Sequence, residues 1–161
     1  MEPPDGSQAL DNVDLAILEI VQADASKPHR AIAEQVNLST PAVQRRLKRM
    51  SSMGVIEQTI AVVDPKRFGN FVTICAHVVL NSERLAFLDR IKLRLRRAPE
   101  VQQCYYVTGD ADLIVIVNVP SMDAYEAFTR EYFFDDDNVK RFQSYVVMQR
   151  VKVGLSLPIN P

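Results

Sequence analysis

Arg45, Arg46, Lys48 and Arg49 place four cations within five residues, and the surrounding segment from Ser39 to Met50 carries no acidic side chain. The whole chain has a formal net charge of -1, so the cluster is local. Cations grouped on one short segment of a near-neutral protein describe a docking surface for a polyanion rather than general stickiness for one. Arg and Lys reach phosphate oxygens and the acceptor edge of guanine, while Gln44 suits the donor and acceptor of adenine. The candidate contacts to double-stranded DNA are therefore Ser39, Thr40, Pro41, Gln44, Arg45, Arg46, Lys48 and Arg49. Pro41, Arg45 and Lys48 are expected nearest the bases, with Arg46 and Arg49 on phosphate.

A second candidate is the run Thr108-Gly109-Asp110-Ala111-Asp112. Gly-Asp is good turn chemistry between two strands. Backbone amides beside two carboxylates would equally hold the carboxylate and ammonium of a free amino acid. Spacing alone reads as a plain turn. Arg90, Lys92, Arg94, Arg96 and Arg97 form another basic cluster, read as a solvated helix face, with contact to wrapped DNA as the minority reading. Cys75 and Cys104 lie in apolar, strand-like segments and read as buried, reduced core residues. Neither they nor His29 and His77 stand at metal-ligand spacing. No metal, cofactor or catalytic residue is expected, since no phosphate-binding Gly-rich loop or nucleophile-base pair is present.

The elements that must position these groups fall into two textures. Residues 1–9 read as a flexible tail. A helix begins at Leu10, with Asp11 as its cap, Asp14 completing a capping box, Leu10 stapled on Leu15, and Leu15, Leu18 and Val21 recurring beside Ile17. A second helix opens at Pro28 and stops at Asn37, which tolerates the left-handed backbone of a tight turn. Ser39 or Thr40 caps the third helix, where Val43, Leu47 and Met50 form a buried stripe and Pro41, Arg45, Lys48, Arg49 and Ser52 face away. Gly54 ends it, and Val55–Glu57 with Ile60–Val63 are expected as two short strands of a wing. The unit at 10–63 is thus a winged helix-turn-helix, a form that lays its last helix in the major groove.

Residues 64–70 read as a linker, and 71–157 as a second domain. A strand is expected over 71–80, a helix over 83–98, strands over Val101–Val107 and Leu113–Val119, a Ser121-capped helix over 121–133, and a closing strand over Phe142–Val153. That order, βαββαβ, is the ferredoxin-like arrangement, so the fold class is α+β. Both helices of such a fold cover one face of the sheet. Leu113-Ile114-Val115-Ile116-Val117 is nevertheless apolar at every position, so the second face also needs a cover. A second copy of the chain is the economical one, which predicts a homodimer through the C-terminal sheets.

A hydrophobic content of 47% and a charged content of 24% belong to a globular chain. No apolar run approaches the ~20 residues that cross a bilayer, and the opening residues lack the regions of a signal peptide. A cytoplasmic, nucleoid-associated protein without membrane contact is expected.

Together these residues resemble the Lrp/AsnC family of bacterial and archaeal regulators. The likeness runs from Leu10 to about Pro158 and rests on Leu10-Asp11-x-x-Asp14, Leu38-Ser39, Arg46, Gly54-Val55-Ile56, Asp64-Pro65, Gly109-Asp110-x-Asp112 and Leu157-Pro158. It implies a DNA-binding winged helix-turn-helix joined to an effector-sensing, ferredoxin-like domain. It also implies dimers that assemble into tetramers or octamers, around which DNA can wrap. Small effectors, usually amino acids, would bind between dimers near Thr108, Gly109, Asp110 and Asp112. The chain departs from the family in having Thr59-Ile60 where a wing tyrosine is common, and Ala111 where an aromatic is common. The small Ala111 either leaves room for a bulkier ligand or removes one wall of the pocket. The competing function is a small-molecule-binding oligomer whose N-terminal helices make protein contacts without specific DNA recognition.

Overall fold

The computed structural model describes residues 9–69, 71–82 and 84–159. The expected tail, apart from residue 9, lies outside them. The chain divides into two compact units: one holds the described residues through Val62 together with those from Lys152 onward, and the other spans Val63–Val151.

In the first unit, α1 (Asn12–Ala23), α2 (His29–Gln35) and α3 (Thr40–Ser52) pack around Ile17, Leu18, Ile32, Ala33, Val43 and Met50. The caps explain where each helix starts and stops. Asp11 and Asp14 form the reciprocal capping box at the start of α1. After α2, Asn37 adopts φ 53°, and the Leu38 N–H bonds the Ala33 carbonyl at 3.0 Å. After α3, Gly54 adopts φ 72°, and the Val55 N–H bonds the Met50 carbonyl at 2.9 Å. Both helices thus end in the same way, with a left-handed residue that lets the following amide reach back to an orphan carbonyl.

The expected wing strands are absent among the described residues: 55–63 runs without a ladder, and Ile60 and Val62 are exposed. Ile56 packs on the helical core but Ile60–Val63 stays exposed, and two short β-prone segments without a shared packed face fall below what an isolated hairpin needs. In the packing of the chain, residues from Lys152 onward lie with the helical unit. The cause is local. The Gln22 side chain accepts the Leu157 N–H at 2.7 Å and donates to the Leu157 carbonyl at 3.3 Å, and Ile159 packs against the helical core.

The second unit is a four-stranded antiparallel sheet in the order β2-β3-β1-β4 with two helices. Its elements are β1 (Val72–Leu80), α4 (Leu85–Arg97), β2 (Val101–Tyr106), β3 (Leu113–Val119), α5 (Met122–Thr129) and β4 (Val139–Val146). α5 runs on through a wider π turn at Arg130–Phe134. β4 begins three residues before the expected Phe142 and ends at Val146, well short of Val153. On one face Ile74, Ala76, Val78, Leu113, Val115, Val117 and Val119 are wholly buried under Leu88, Ile91, Leu95, Phe128 and Phe133. Cross-strand register puts Cys75, His77, Ile114, Ile116, Tyr105 and Tyr145 on the other face, where they stay half-buried or exposed with no described helix of the unit packed over them. Cys104 packs against the core, while Cys75 lies half-buried on the open face. Burial pushes both thiols up.

Candidate functional site

The roll of α3 decides which of its polar residues are available. Ser39 caps the helix, its hydroxyl accepting the Ala42 N–H at 3.4 Å, and Pro41 occupies the opening turn. Val43 and Met50 are fully buried and Leu47 packs beside them. Pro41, Gln44, Arg45 and Lys48 are consequently turned to solvent, with Thr40 half-buried. This row can lie along a groove.

Arg46 and Arg49, expected on phosphate, meet a different geometry. Arg46 Nη1 lies 2.8 Å from Asp14 Oδ1 and 2.7 Å from Asp11 Oδ2. Arg49 Nη2 bonds Asp14 Oδ2. The Asp14 side chain is completely buried, while those of Arg46 and Arg49 retain 24% and 39% exposure. Burial pushes the Asp14 carboxyl up. The bonds from Arg46, the Asp11 N–H and Arg49 outweigh it and hold the group below the usual carboxylate range. Bonds to Asp14 and Asp11 raise Arg46 in turn.

The turn at 108–112 also divides in two. Asp112 faces inward: Oδ2 accepts the Leu80 N–H at 2.6 Å, and its own N–H donates to the Val78 carbonyl at 2.9 Å. Gly109 adopts φ 129°, a conformation that disfavours any side chain. Asp110 and Ala111 instead line a depression of about 200 Å³ together with His77, Val79, Arg141, Phe142 and Gln143. Thr108 and Gly109 are exposed and do not line it. Of the turn's four expected ligand contacts, only Asp110 is thus brought to a concave surface. Arg141 and Asp110 give the depression one cation and one anion.

Most of the α4 cluster is engaged within its own unit. Arg90 and Arg94 pair with buried Asp136 at 3.1 and 2.9 Å, and Lys92 stands 4.2 Å over the Tyr106 ring. Arg96 and Arg97 lie exposed in the last turn, where cations offset the helix dipole.

Residues 10–51 match the AsnC-type helix-turn-helix domain, and residues 73–157 match the Lrp/AsnC ligand binding domain. The chain belongs to the Lrp/AsnC family. It is 44% identical over 156 residues to the HTH-type transcriptional regulator y4tD of Sinorhizobium fredii, covering 97% of this chain and 92% of that one. Its structure is similar to that of an AsnC family transcriptional regulator from Agrobacterium tumefaciens, with TM-score 0.83 and 30% identity over 92% of this chain and 97% of that one. It is also similar to the complex of the regulator NMB0573 with L-Met from Neisseria meningitidis, with TM-score 0.85 and 26% identity over 94% and 98% of the two chains. As an Lrp/AsnC protein the chain is a DNA-binding transcriptional regulator with a ligand-binding domain, and not an enzyme.

Two features of this Lrp/AsnC chain escape a reading by motif. Asp14 lies three, four and seven residues before Ile17, Leu18 and Val21, so it occupies the apolar face of α1 and has to find a buried partner. That spacing was the available signal. His77, Arg141 and Gln143 reach the depression through the pairings Val79↔Arg141 and His77↔Gln143, which no local pattern announces.

Proposed function

We propose that α3 enters the major groove of double-stranded DNA, with Gln44, Arg45 and Lys48 toward the bases and neighbouring phosphates and Ser39, Thr40 and Pro41 at the edge of the contact. The carrying observation is the exposed row Gln44, Arg45, Lys48 on a helix whose opposite stripe, Val43, Leu47 and Met50, packs into the core. The depression at Asp110, Ala111 and Arg141 takes a single amino acid or a related small metabolite, which changes oligomeric state or DNA affinity. Its volume of about 200 Å³ suits a ligand smaller than the occupants of typical drug-sized sites of ~300–1,000 Å³. The methionine carried by the Neisseria meningitidis regulator supports that class of ligand. The protein acts in the cytoplasm, on the nucleoid, as a homodimer through the open sheet face, with assembly to tetramers or octamers.

The DNA reading is tested with Arg45→Ala and Lys48→Ala combined. Gel-shift affinity for a selected duplex is expected to vanish while the oligomer, sized by light scattering, stays intact. Unchanged affinity would sink the proposal. The ligand reading is tested by thermal shift against the common amino acids, because a ligand selective for the native state raises Tm. A shift seen with the wild type should disappear in Asp110→Ala and in Arg141→Ala. If no amino acid shifts the wild type, the ligand class is wrong.

A further inference from the structure

A closed network of two carboxylates and two guanidiniums joins α1 to α3. Asp14 Oδ1 receives Arg46 Nη1 at 2.8 Å, and Oδ2 receives Arg49 Nη2 together with the Asp11 N–H at 3.1 Å. Asp11 Oδ1 receives the Asp14 N–H at 2.8 Å, and its Oδ2 receives Arg46 Nη1 at 2.7 Å. The formal charges of these four side chains cancel. Arg46 and Arg49 are three residues apart, on successive turns of α3, so they grip one buried carboxylate from two points along the helix. Two such points limit rolling and sliding of α3 on α1 more tightly than the apolar contacts of Val43, Leu47 and Met50 alone.

We propose that Asp14 is a positioning residue for DNA recognition. By drawing Arg46 and Arg49 inward it sets the roll of α3 and leaves Gln44, Arg45 and Lys48 to meet the duplex. The inference rests on the reading that α3 carries the DNA contacts. A phosphate competing for either arginine would leave a completely buried carboxylate short of a partner, and an uncompensated buried charge is strongly unfavourable. Half of the α3 cation cluster therefore belongs to the architecture of the unit, and the phosphate count comes from the other half.

The test uses the full chain, a duplex selected by the wild type from a random pool, and a scrambled duplex, each titrated across a range of salt. Each phosphate contact adds about 0.9 to the slope of log K against log salt. Arg49→Gln, which keeps the Arg46–Asp14 pair, is expected to leave the scrambled-duplex affinity and slope unchanged. Asp14→Asn releases two guanidiniums. Its slope is expected to steepen by up to about 1.8, twice the single-contact value, while the ratio of selected to scrambled affinity falls tenfold or more at unchanged helical circular dichroism. A loss of fold alone would weaken both duplexes together and leave the ratio standing. The proposal is overturned if folded Asp14→Asn keeps the wild-type ratio and slope, or if Arg49→Gln loses about 0.9 of slope and so reveals a phosphate contact. Should Asp14→Asn fail to fold, Arg49→Gln decides alone. If Arg45→Gln with Lys48→Gln changes nothing on either duplex, the underlying reading of α3 fails, a result separate from those of Asp14 and Arg49.

Discussion

The carboxylate of Asp112 accepts the backbone N–H of Leu80 at 2.6 Å, at the place where pairing of β1 with β4 slips between Val79 and Leu80. Leu80 turns its N–H to the same side as the Val78 carbonyl, toward β3, but that ladder ends at Val78↔Leu113, so the acid just before β3 satisfies the amide instead. Asp112→Ala should therefore destabilise the C-terminal unit by about 1–3 kcal/mol, the cost of an orphaned buried donor. Denaturant unfolding without ligand measures this. Asp110→Ala, whose side chain is exposed, should leave the midpoint where it is, which makes it the cleaner probe of ligand binding.

Asp14 also predicts a response to acid. Its folded carboxyl lies below the usual range because the bonds from Arg46, the Asp11 N–H and Arg49 outweigh burial. A depressed acid contributes stability that is complete above its unfolded value of about 3.9 and is lost as pH falls through the lower folded one. Helical circular dichroism of the wild type should lose thermal stability as pH drops below about 4, with a shallower loss in Asp14→Asn. Parallel curves would show that the carboxylate contributes nothing to the acid response.

The uncovered sheet face carries a prediction about assembly. Ile116 pairs laterally with Cys75 and Gln103 near its centre and is half-buried. If the proposed dimer forms through this face, Ile116→Glu should shift the mass measured by light scattering toward that of a monomer, since one desolvated carboxylate per subunit would be trapped in the joint. Ile91→Ala, on the covered face, should instead lower stability by about 2–5 kcal/mol through a cavity while leaving the mass as it is.

Gln22 clasps the Leu157 backbone through both ends of its amide. Gln22→Ala should speed hydrogen exchange of the Leu157 amide and cost the helical unit about 0.5–1.5 kcal/mol. An unchanged exchange rate would mean that the amide is protected by other means.

What could be read beforehand was whatever is local. Asp11, Ser39, Gly54 and Ser121 each announce a helix boundary by chemistry confined to a few residues, and all four boundaries are found there. The unbroken apolar run from Leu113 to Val117 in β3 equally discloses two apolar faces. The misses share the opposite character. Ile60–Val63 has strand propensity, but strand formation needs a partner and a packed face, and the segment has neither. β4 opens with Val139-Lys140-Arg141, whose edge position permits polar residues that hide its start. Arg46 and Arg49 looked like their neighbours Arg45 and Lys48 until a residue more than 30 positions away claimed them.

Leu157 and Gln22 are 135 residues apart, which gives the helical unit a schedule. The three helices leave the ribosome first, yet the strand of chain that Gln22 holds is made only after every residue of the sheet. Domains otherwise fold in order as they emerge. Here the first unit is finished last, so a growing chain carries its helices without their final clasp until the sheet of the ligand-binding domain has been completely translated.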